Sequence, residues 1–174
     1  MAAKRIALID LSGIFRQHYH ATEHESSSAA VRKTLQAVTG FVAGFDCVGI
    51  CIDCPPYKRS EIDPNYKAHR EKAPQVMHEQ QRAVIEELGN DGYHILGAKG
   101  YEADDIIATV CEWQRRNAGR AKEVVIFSSD KDLLALVRPG VEVISAATGT
   151  AYKDAAAVHA KLGVQPELVT DWLA

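Results

Sequence analysis

Four apolar runs of strand length recur along the chain, with segments of helical periodicity between them. The runs are Ile6–Ile9, Val48–Ile52, Val124–Phe127 and Val141–Ile144. Continuous runs of this kind are typical of parallel strands that are buried on both faces. Together with a brief fifth run at Tyr93–Leu96, they predict an α/β fold, in which a mostly parallel five-stranded sheet has helices on both faces. Helices are predicted over 29–43, 77–91, 103–117, 133–137, 154–162 and 166–173.

Acidic residues follow these runs at the points where the strands end. Asp10 and Asp53 end the first two runs, and Asp130 comes shortly after the third. Because the carboxyl ends of parallel strands share one edge of a sheet, we expect these aspartates to lie close together. The stretch Glu102–Asp105 follows another strand through a short glycine-containing loop, so it reaches the same edge.

Three carboxylates within four positions exceed what a helix start requires. One acid is enough to cap a helix, and like charges at this spacing repel each other. Three acids together therefore suggest a bound cation that neutralises them. Oxygen ligands of this kind suit Mg²⁺ or Mn²⁺. We predict a site for two such ions, which can activate water at a phosphodiester. Its ligands would be Asp10, Asp53, Glu102, Asp104, Asp105, Asp130 and Asp132. In the alternative interpretation, each acid is an independent cap or loop residue.

A basic, proline-rich segment over 54–76 is the second candidate for function. It is long and poor in apolar residues, so we expect it to be mobile without a ligand. Its cationic and aromatic side chains are candidate contacts to nucleic acid, with a helical turn expected at Tyr66–Arg70, and a solvated surface loop is the alternative. The candidate contacts are Lys58, Arg59, Tyr66, Lys67, Arg70 and Lys72.

Two other groups of side chains are assigned structural roles. Cys51 and Cys54 form a C-x-x-C, but no second pair follows at zinc-ribbon spacing, so buried free thiols are favoured for these and for Cys47 and Cys111. Three histidines, His18, His20 and His24, lie in a polar stretch over 11–27. We expect a solvated loop there rather than a metal site.

Length and charge set the remaining bounds. The 174 residues suit a single domain over 1–174. The net charge of −3 is unusual for a nucleic-acid binder, but leaving out the seven candidate ligands changes it to +4. No apolar stretch approaches the ~20 residues of a membrane span, and a strand pattern begins at once, so we expect a cytoplasmic protein.

These motifs together resemble the 5′-nuclease superfamily: flap endonucleases, phage 5′–3′ exonucleases and the N-terminal exonuclease domain of bacterial DNA polymerase I. The similarity rests on Asp10 and Asp53, on Y-K-x-x-R at Tyr66–Arg70, on E-A-D-D at Glu102–Asp105 and on D-K-D at Asp130–Asp132. It implies a PIN-like, resolvase-like fold and metal-dependent hydrolysis of DNA at 5′ ends or flap junctions.

The resemblance also implies individual roles. Lys67 and Arg70 would act near the scissile phosphate as catalytic residues, and Tyr66 would stack on a nucleotide. Asp130 and Asp132 would serve one metal position. The other position would be served mainly by Asp10, Asp53, Glu102, Asp104 and Asp105.

The chain departs from the family at two places. Leu11 replaces the usual glycine after the first aspartate, and the family's G-D-x-x-D-N motif and DNA-gripping helix-hairpin are absent after Val169. We therefore expect a monomeric catalytic part of a longer nuclease, with one well-occupied metal and weak DNA binding. The alternatives are a non-catalytic DNA-junction-binding module and a PIN-type ribonuclease.

Overall fold

The structure, a computed structural model, describes residues 4–22, 24–26, 28–69, 73–117 and 121–173. Its six strands form one sheet in the order β3-β2-β1-β4-β5-β6, and only the β5–β6 pair is antiparallel. The strands are β1 (Lys4–Asp10), β2 (Cys47–Cys51), β3 (His94–Leu96), β4 (Ala121–Ser128), β5 (Val141–Ser145) and β6 (Ala151–Tyr152). The predicted fold class is confirmed, and β6 is an additional two-residue edge strand.

Seven α-helices and two short 3-10 helices are present in the described part of the chain. The α-helices are α1 (Leu11–Ala21), α2 (Ala29–Phe41), α3 (Arg59–Ile62), α4 (Gln75–Asn90), α5 (Ala103–Arg116), α6 (Ala155–Leu162) and α7 (Val169–Leu173). The 3-10 helices cover Asp132–Leu136 and Pro166–Leu168. The helix predicted over 133–137 is therefore a 3-10 helix, and the one predicted over 166–173 is divided in two.

The core consists of two apolar layers, one on each face of the sheet. Successive residues of β1 alternate between them, as the pleat of a strand requires. Ala7 and Ile9 pack with α1, α2 and α4, whereas Leu8 packs with α5 and the first 3-10 helix. This arrangement confirms that helices cover both faces and explains the continuous apolar runs.

The polar loop predicted over 11–27 is wrong, because α1 begins directly after Asp10. Leu11, Ile14 and Phe15 recur at helical spacing and are buried under the sheet. Polar residues on the outer face of this helix masked the periodicity. His18 belongs to α1, where its Nδ1 lies 3.0 Å from Thr34 Oγ1 of α2, and it is not part of a solvated loop.

Helix α5 packs against the sheet through a single stripe of residues. Ala103, Ile107, Cys111 and Gln114 are its buried residues. Trp113 is 44% exposed, because it lies off the stripe that these four residues form.

All four cysteines are free, as predicted. Cys51 and Cys111 are buried in the same apolar layer, whereas Cys47 and Cys54 are half-buried. Burial raises the pKa of both Cys51 and Cys111 to about 12, so these two thiols are inert packing residues. Within the described ranges, no helix is long and apolar enough to cross a membrane.

Candidate active site

A cleft of about 760 Å³ lies at the carboxyl edge of the sheet, between the starts of α1 and α5 and the first 3-10 helix. We call it the acidic cleft, because six of the seven predicted acids line it. These are Asp10, Asp53, Glu102, Asp104, Asp130 and Asp132. Asp105 does not line the cleft, but its carboxylate bonds to a side chain that does. Four separate segments of the chain thus deliver carboxylates to one place.

Asp10 is held by two donors at the end of β1. Its carboxylate accepts 3.1 Å from the backbone N–H of Gly13 and 2.6 Å from the hydroxyl of Ser128. Burial raises its pKa, the two hydrogen bonds oppose that rise, and the charges of Asp53 and Asp130 add to it. A Cβ at position 13 would lie 2.7 Å from Asp10 Oδ2, so any larger residue would require the Asp10 carboxylate to move.

Ser128 is a functional candidate that the sequence reasoning missed. It is buried, and its Oγ also accepts a 3.0 Å hydrogen bond from the backbone N–H of Asp130. One hydroxyl thus connects two predicted ligands from neighbouring strands. The available signal was a hydroxyl residue at the last position of an apolar strand, just before an acid.

Asp130 and Asp132 line the part of the cleft that is formed by the segment after β4. The backbone N–H of Asp132 donates 3.0 Å to Asp130 Oδ1. The pKa of Asp132 is raised, first by burial and then by the charges of Asp130 and Asp104. The acids of the two predicted metal positions therefore influence each other across the cleft.

The remaining acids organise the start of α5. Asp53 lies two residues after the end of β2, and its Oδ1 accepts 2.8 Å from the N–H of Ala103. The N–H of Glu102 donates 3.0 Å to Asp105 Oδ2, and the N–H of Asp105 donates 2.7 Å to Asp104 Oδ1. These acids are caps, as the alternative interpretation required, and Asp53, Glu102 and Asp104 also line the cleft.

Arg59, for which contact with nucleic acid stays a prediction, contacts three of the acids in the structure. Its guanidinium donates 2.5 Å to Glu102, 3.3 Å to Asp104 and 2.6 Å to Asp105. Burial lowers its pKa, but a hydrogen bond with Tyr66 and the charges of Asp104 and Asp105 raise it by more. Arg59 therefore occupies a position at which the surrounding carboxylates favour a positive charge.

Tyr66 and Lys67 converge on the same acid. The hydroxyl of Tyr66 and the ammonium of Lys67 both donate to the carboxylate of Glu102. Burial raises the pKa of Glu102, but these bonds and the one from Arg59 outweigh burial and hold it low. Glu102 therefore carries its negative charge in a nearly closed environment, only 4% exposed.

The helical turn expected at Tyr66–Arg70 is wrong for its described part. Residues 64–69 form successive turns, and Lys67 has a positive φ of 56°, which does not belong to a right-handed helix. Arg70 and Lys72 lie outside the described residues. Lys58 donates 3.1 Å to the Tyr101 hydroxyl and lies over that ring. The expected mobility of 54–76 stays a prediction.

The cleft also contains a cation that the sequence analysis did not single out. Arg16, on the exposed side of α1, lines the acidic cleft and is in no ion pair among the residues that the structure describes. Its charge is close enough to lower the pKa of Tyr57 against the larger effect of burial. Among the described residues that line this cleft, Arg16 is the cation that is free to meet an anionic ligand.

The donor chemistry of the cleft fits a hard divalent cation. The donors are carboxylate oxygens, and burial with mutual repulsion raises the pKa of Asp10, Asp104 and Asp132, which a bound cation would relieve. Among the described residues, however, no three His, Cys, Asp or Glu side chains are grouped closely enough to hold an ion as they stand. Arg59 and Lys67 draw the acids of α5 toward themselves instead.

Comparison with known proteins identifies the family. The chain belongs to the family described as 5′-3′ exonuclease, N-terminal resolvase-like domain, which matches residues 5–163. It is 37% identical over 117 residues to a 5′-3′ exonuclease of Aquifex aeolicus, covering 67% of this chain and 39% of that protein. It is 29% identical over 188 residues to DNA polymerase I of Pseudomonas aeruginosa, covering 100% of this chain and 20% of that protein.

A solved structure confirms the fold. The bacteriophage T5 D15 flap endonuclease, crystallised with DNA and metal ions, superposes with a TM-score of 0.71 at 15% identity, covering 95% of this chain and 64% of that one. The chain thus spans less than two thirds of each of these three proteins.

Proposed function

We propose that this chain is the catalytic domain of a divalent-metal-dependent 5′ nuclease, which hydrolyses DNA phosphodiesters at 5′ ends or flap junctions. The observation that carries the proposal is the meeting of carboxylates from four chain segments in one open cleft. The family and the exonuclease and polymerase relatives support the same reaction class.

Mg²⁺ or Mn²⁺ would be held by the seven acids in two positions. Asp130 and Asp132 would hold one ion, and the five acids Asp10, Asp53, Glu102, Asp104 and Asp105 the other. Bound metal supplies an activated water and stabilises charge on the leaving oxygen. Ser128 and Gly13 orient Asp10 for this role through the hydrogen bonds described above.

The cationic side chains of the cleft would bind and position the DNA strand. Arg16 lines the acidic cleft without an acidic partner among the described residues, and Lys67 also lines it. Release of Lys67 from Glu102 would let its ammonium meet the phosphate next to the bond that is cut. Arg70 and Lys72 are proposed DNA contacts on the sequence pattern alone.

A second candidate function, DNA binding without catalysis, has one observation in its favour. The acids of α5 are already paired with Arg59 and Lys67, and the described residues hold no ready-made metal cage. In this case the acids would serve only to fold the basic segment against α5, and metal would leave both binding and folding unchanged.

Cleavage of a labelled 5′-flap DNA with Mg²⁺, Mn²⁺ or EDTA distinguishes the two functions. We expect metal-dependent cleavage, which Asp104→Asn abolishes by removing a ligand charge. Asp91→Asn, at the exposed C-terminus of α4, is the matched control and should cleave like wild type. Cleavage by Asp104→Asn within about threefold of wild type would sink the assignment. An RNA strand of the same sequence tests the ribonuclease alternative.

A further inference from the structure

A second, smaller cleft of about 120 Å³ lies beside the acidic cleft. We call it the lysine–hydroxyl cleft. Its apolar floor is formed by Leu134 and Val143, and its other walls come from β4, the β5–β6 hairpin and α6. The polar residues that line it are Ser128, Ser129, Asp130, Lys131, Ser145, Thr148, Tyr152 and Lys161. Of these residues, the metal chemistry proposed above involves only Asp130 and Ser128.

The chemistry of this cleft favours an anion. Lys131 and Lys161 are exposed, and neither takes part in an ion pair or side-chain hydrogen bond among the described residues. Lysines without an acidic partner on the rim of a concave site attract counter-charge. Asp130 is the only acid among the described residues of the lining, so the cationic side chains outnumber it.

Hydroxyl groups supply neutral donors around the same space. Those of Ser145, Thr148 and Tyr152 come from the hairpin, where Thr148 also bonds to Thr150 at 2.9 Å. Lysine together with hydroxyl side chains is a common phosphate-binding combination. The volume is below the ~300 Å³ of a small-molecule pocket, so a single tetrahedral oxyanion fits better than a base or a nucleotide.

The position of the cleft indicates where that oxyanion comes from. Ser129 and Asp130 line both clefts, so they form a common wall between them. A strand whose phosphodiester lies among the acids would carry a further phosphate of its backbone over this wall. We propose that the lysine–hydroxyl cleft binds a backbone phosphate of the DNA strand that is cut, an inference that rests on the proposed function. Its role is to fix the position of the strand along the acidic cleft.

Salt-dependent DNA binding tests this proposal. The probe is a fluorescein-labelled 5′-flap DNA in EDTA, followed by anisotropy over a series of salt concentrations. The variants are Lys131→Gln with Lys161→Gln, and the matched control is Lys153→Gln, which is exposed in the same region but does not line the cleft. We expect the double variant to bind about fivefold or more weakly and to lose roughly one unit of the salt slope.

The control separates a site from a general effect of charge. If the double variant changes affinity and slope by no more than twice the effect of Lys153→Gln, long-range attraction explains the result and the proposal is overturned. Restoration of the slope by Lys131→Arg with Lys161→Arg would support it. Thermal melts confirm that every variant is folded.

Two further measurements identify the source of the phosphate and distinguish this inference from the proposed nuclease function. Calorimetric titration with inorganic phosphate, weakened by the double variant while the DNA slope stays unchanged, would show a free-oxyanion site and overturn the inference. The binding measurement needs no cleavage. A wild-type chain that binds the flap but never cleaves it with any metal would refute the nuclease function, and the salt slope would still decide the inference about this cleft.

Discussion

Arg59 should compete with a divalent metal for the acids of α5. Its guanidinium donates to Glu102, Asp104 and Asp105 at 2.5–3.3 Å, so an ion that binds there has to displace it. The substitution Arg59→Met keeps much of the apolar stem and removes the charge. We expect the metal-free protein to become less stable, while its affinity for Mn²⁺ increases.

The expected magnitude follows from the exposure of the partners. An exposed ion pair contributes about 0.2–1 kcal/mol, and the guanidinium side chain is 40% exposed, so screening limits each of its three pairs. The side chain of Glu102 is only 5% exposed, so its ion pair with Arg59 contributes an energy at or above the upper end of that range. A total of about 1–3 kcal/mol corresponds by linkage to a 5- to 150-fold increase in metal affinity.

Two measurements test the two expected changes, the loss of stability and the gain in Mn²⁺ affinity. Urea unfolding in EDTA reports the loss of stability, and calorimetric titration with Mn²⁺ reports the affinity. Lys58→Met is the matched control, because Lys58 contacts Tyr101 and no acid in the described structure. An unchanged or weaker metal affinity in Arg59→Met, with stability lost, would refute the reasoning and make Arg59 a purely structural residue.

Two other substitutions test the supporting contacts. Ser128→Ala removes a donor from the buried carboxylate of Asp10, so we expect a loss of about 1–3 kcal/mol by urea unfolding and weaker Mn²⁺ binding; retention of both would contradict the positioning role. Burial and then the charge of Lys33 lower the pKa of His18, so the unfolded chain binds the proton more tightly and stability should fall as pH drops below about 6.5. His18→Gln should flatten this pH dependence and His159→Gln should not, whereas an unchanged profile in His18→Gln would exclude His18 as its source.

The strands and their terminal acids were predictable because both signals are local. A parallel strand buried on both faces has to be continuously apolar, and its carboxyl end has to lie at the functional edge. Asp10 and Asp130 were placed by this reasoning alone. Helix α1 was missed because its apolar stripe is narrow: Leu11, Ile14 and Phe15 are its buried apolar residues, and most residues after them are polar.

The pairing of the basic segment with the acids was not predictable in the same way. Arg59 meets residues 43 to 46 positions away, and no periodicity in the sequence encodes a contact of that separation. A cationic segment and an acidic cluster can each be solvated, bind a ligand or bind each other. The charges of both segments can be read from the residues. Which of these three outcomes occurs depends on the fold, which brings α3 beside α5.

The two interpretations of the acids, helix caps and metal ligands, are compatible, and Asp53 shows how. One of its oxygens accepts from the N–H of Ala103 at the start of α5, which fixes the carboxylate at the cleft. An amide keeps that acceptor and loses the charge. We therefore expect Asp53→Asn to unfold in urea like wild type, and Asp53→Ala to lose about 0.5–2 kcal/mol with its cap.

Metal binding should distinguish both variants from wild type, whereas stability should distinguish only one of them. Both remove a charged ligand, so both should weaken calorimetric Mn²⁺ binding to a similar degree, although only Asp53→Ala destabilises the fold. Because the stability measurement is made in EDTA, the cap and the ligand are read independently. Equal stability of the two variants would mean that the Ala103 bond contributes nothing, and wild-type metal affinity in Asp53→Asn would leave Asp53 a cap alone.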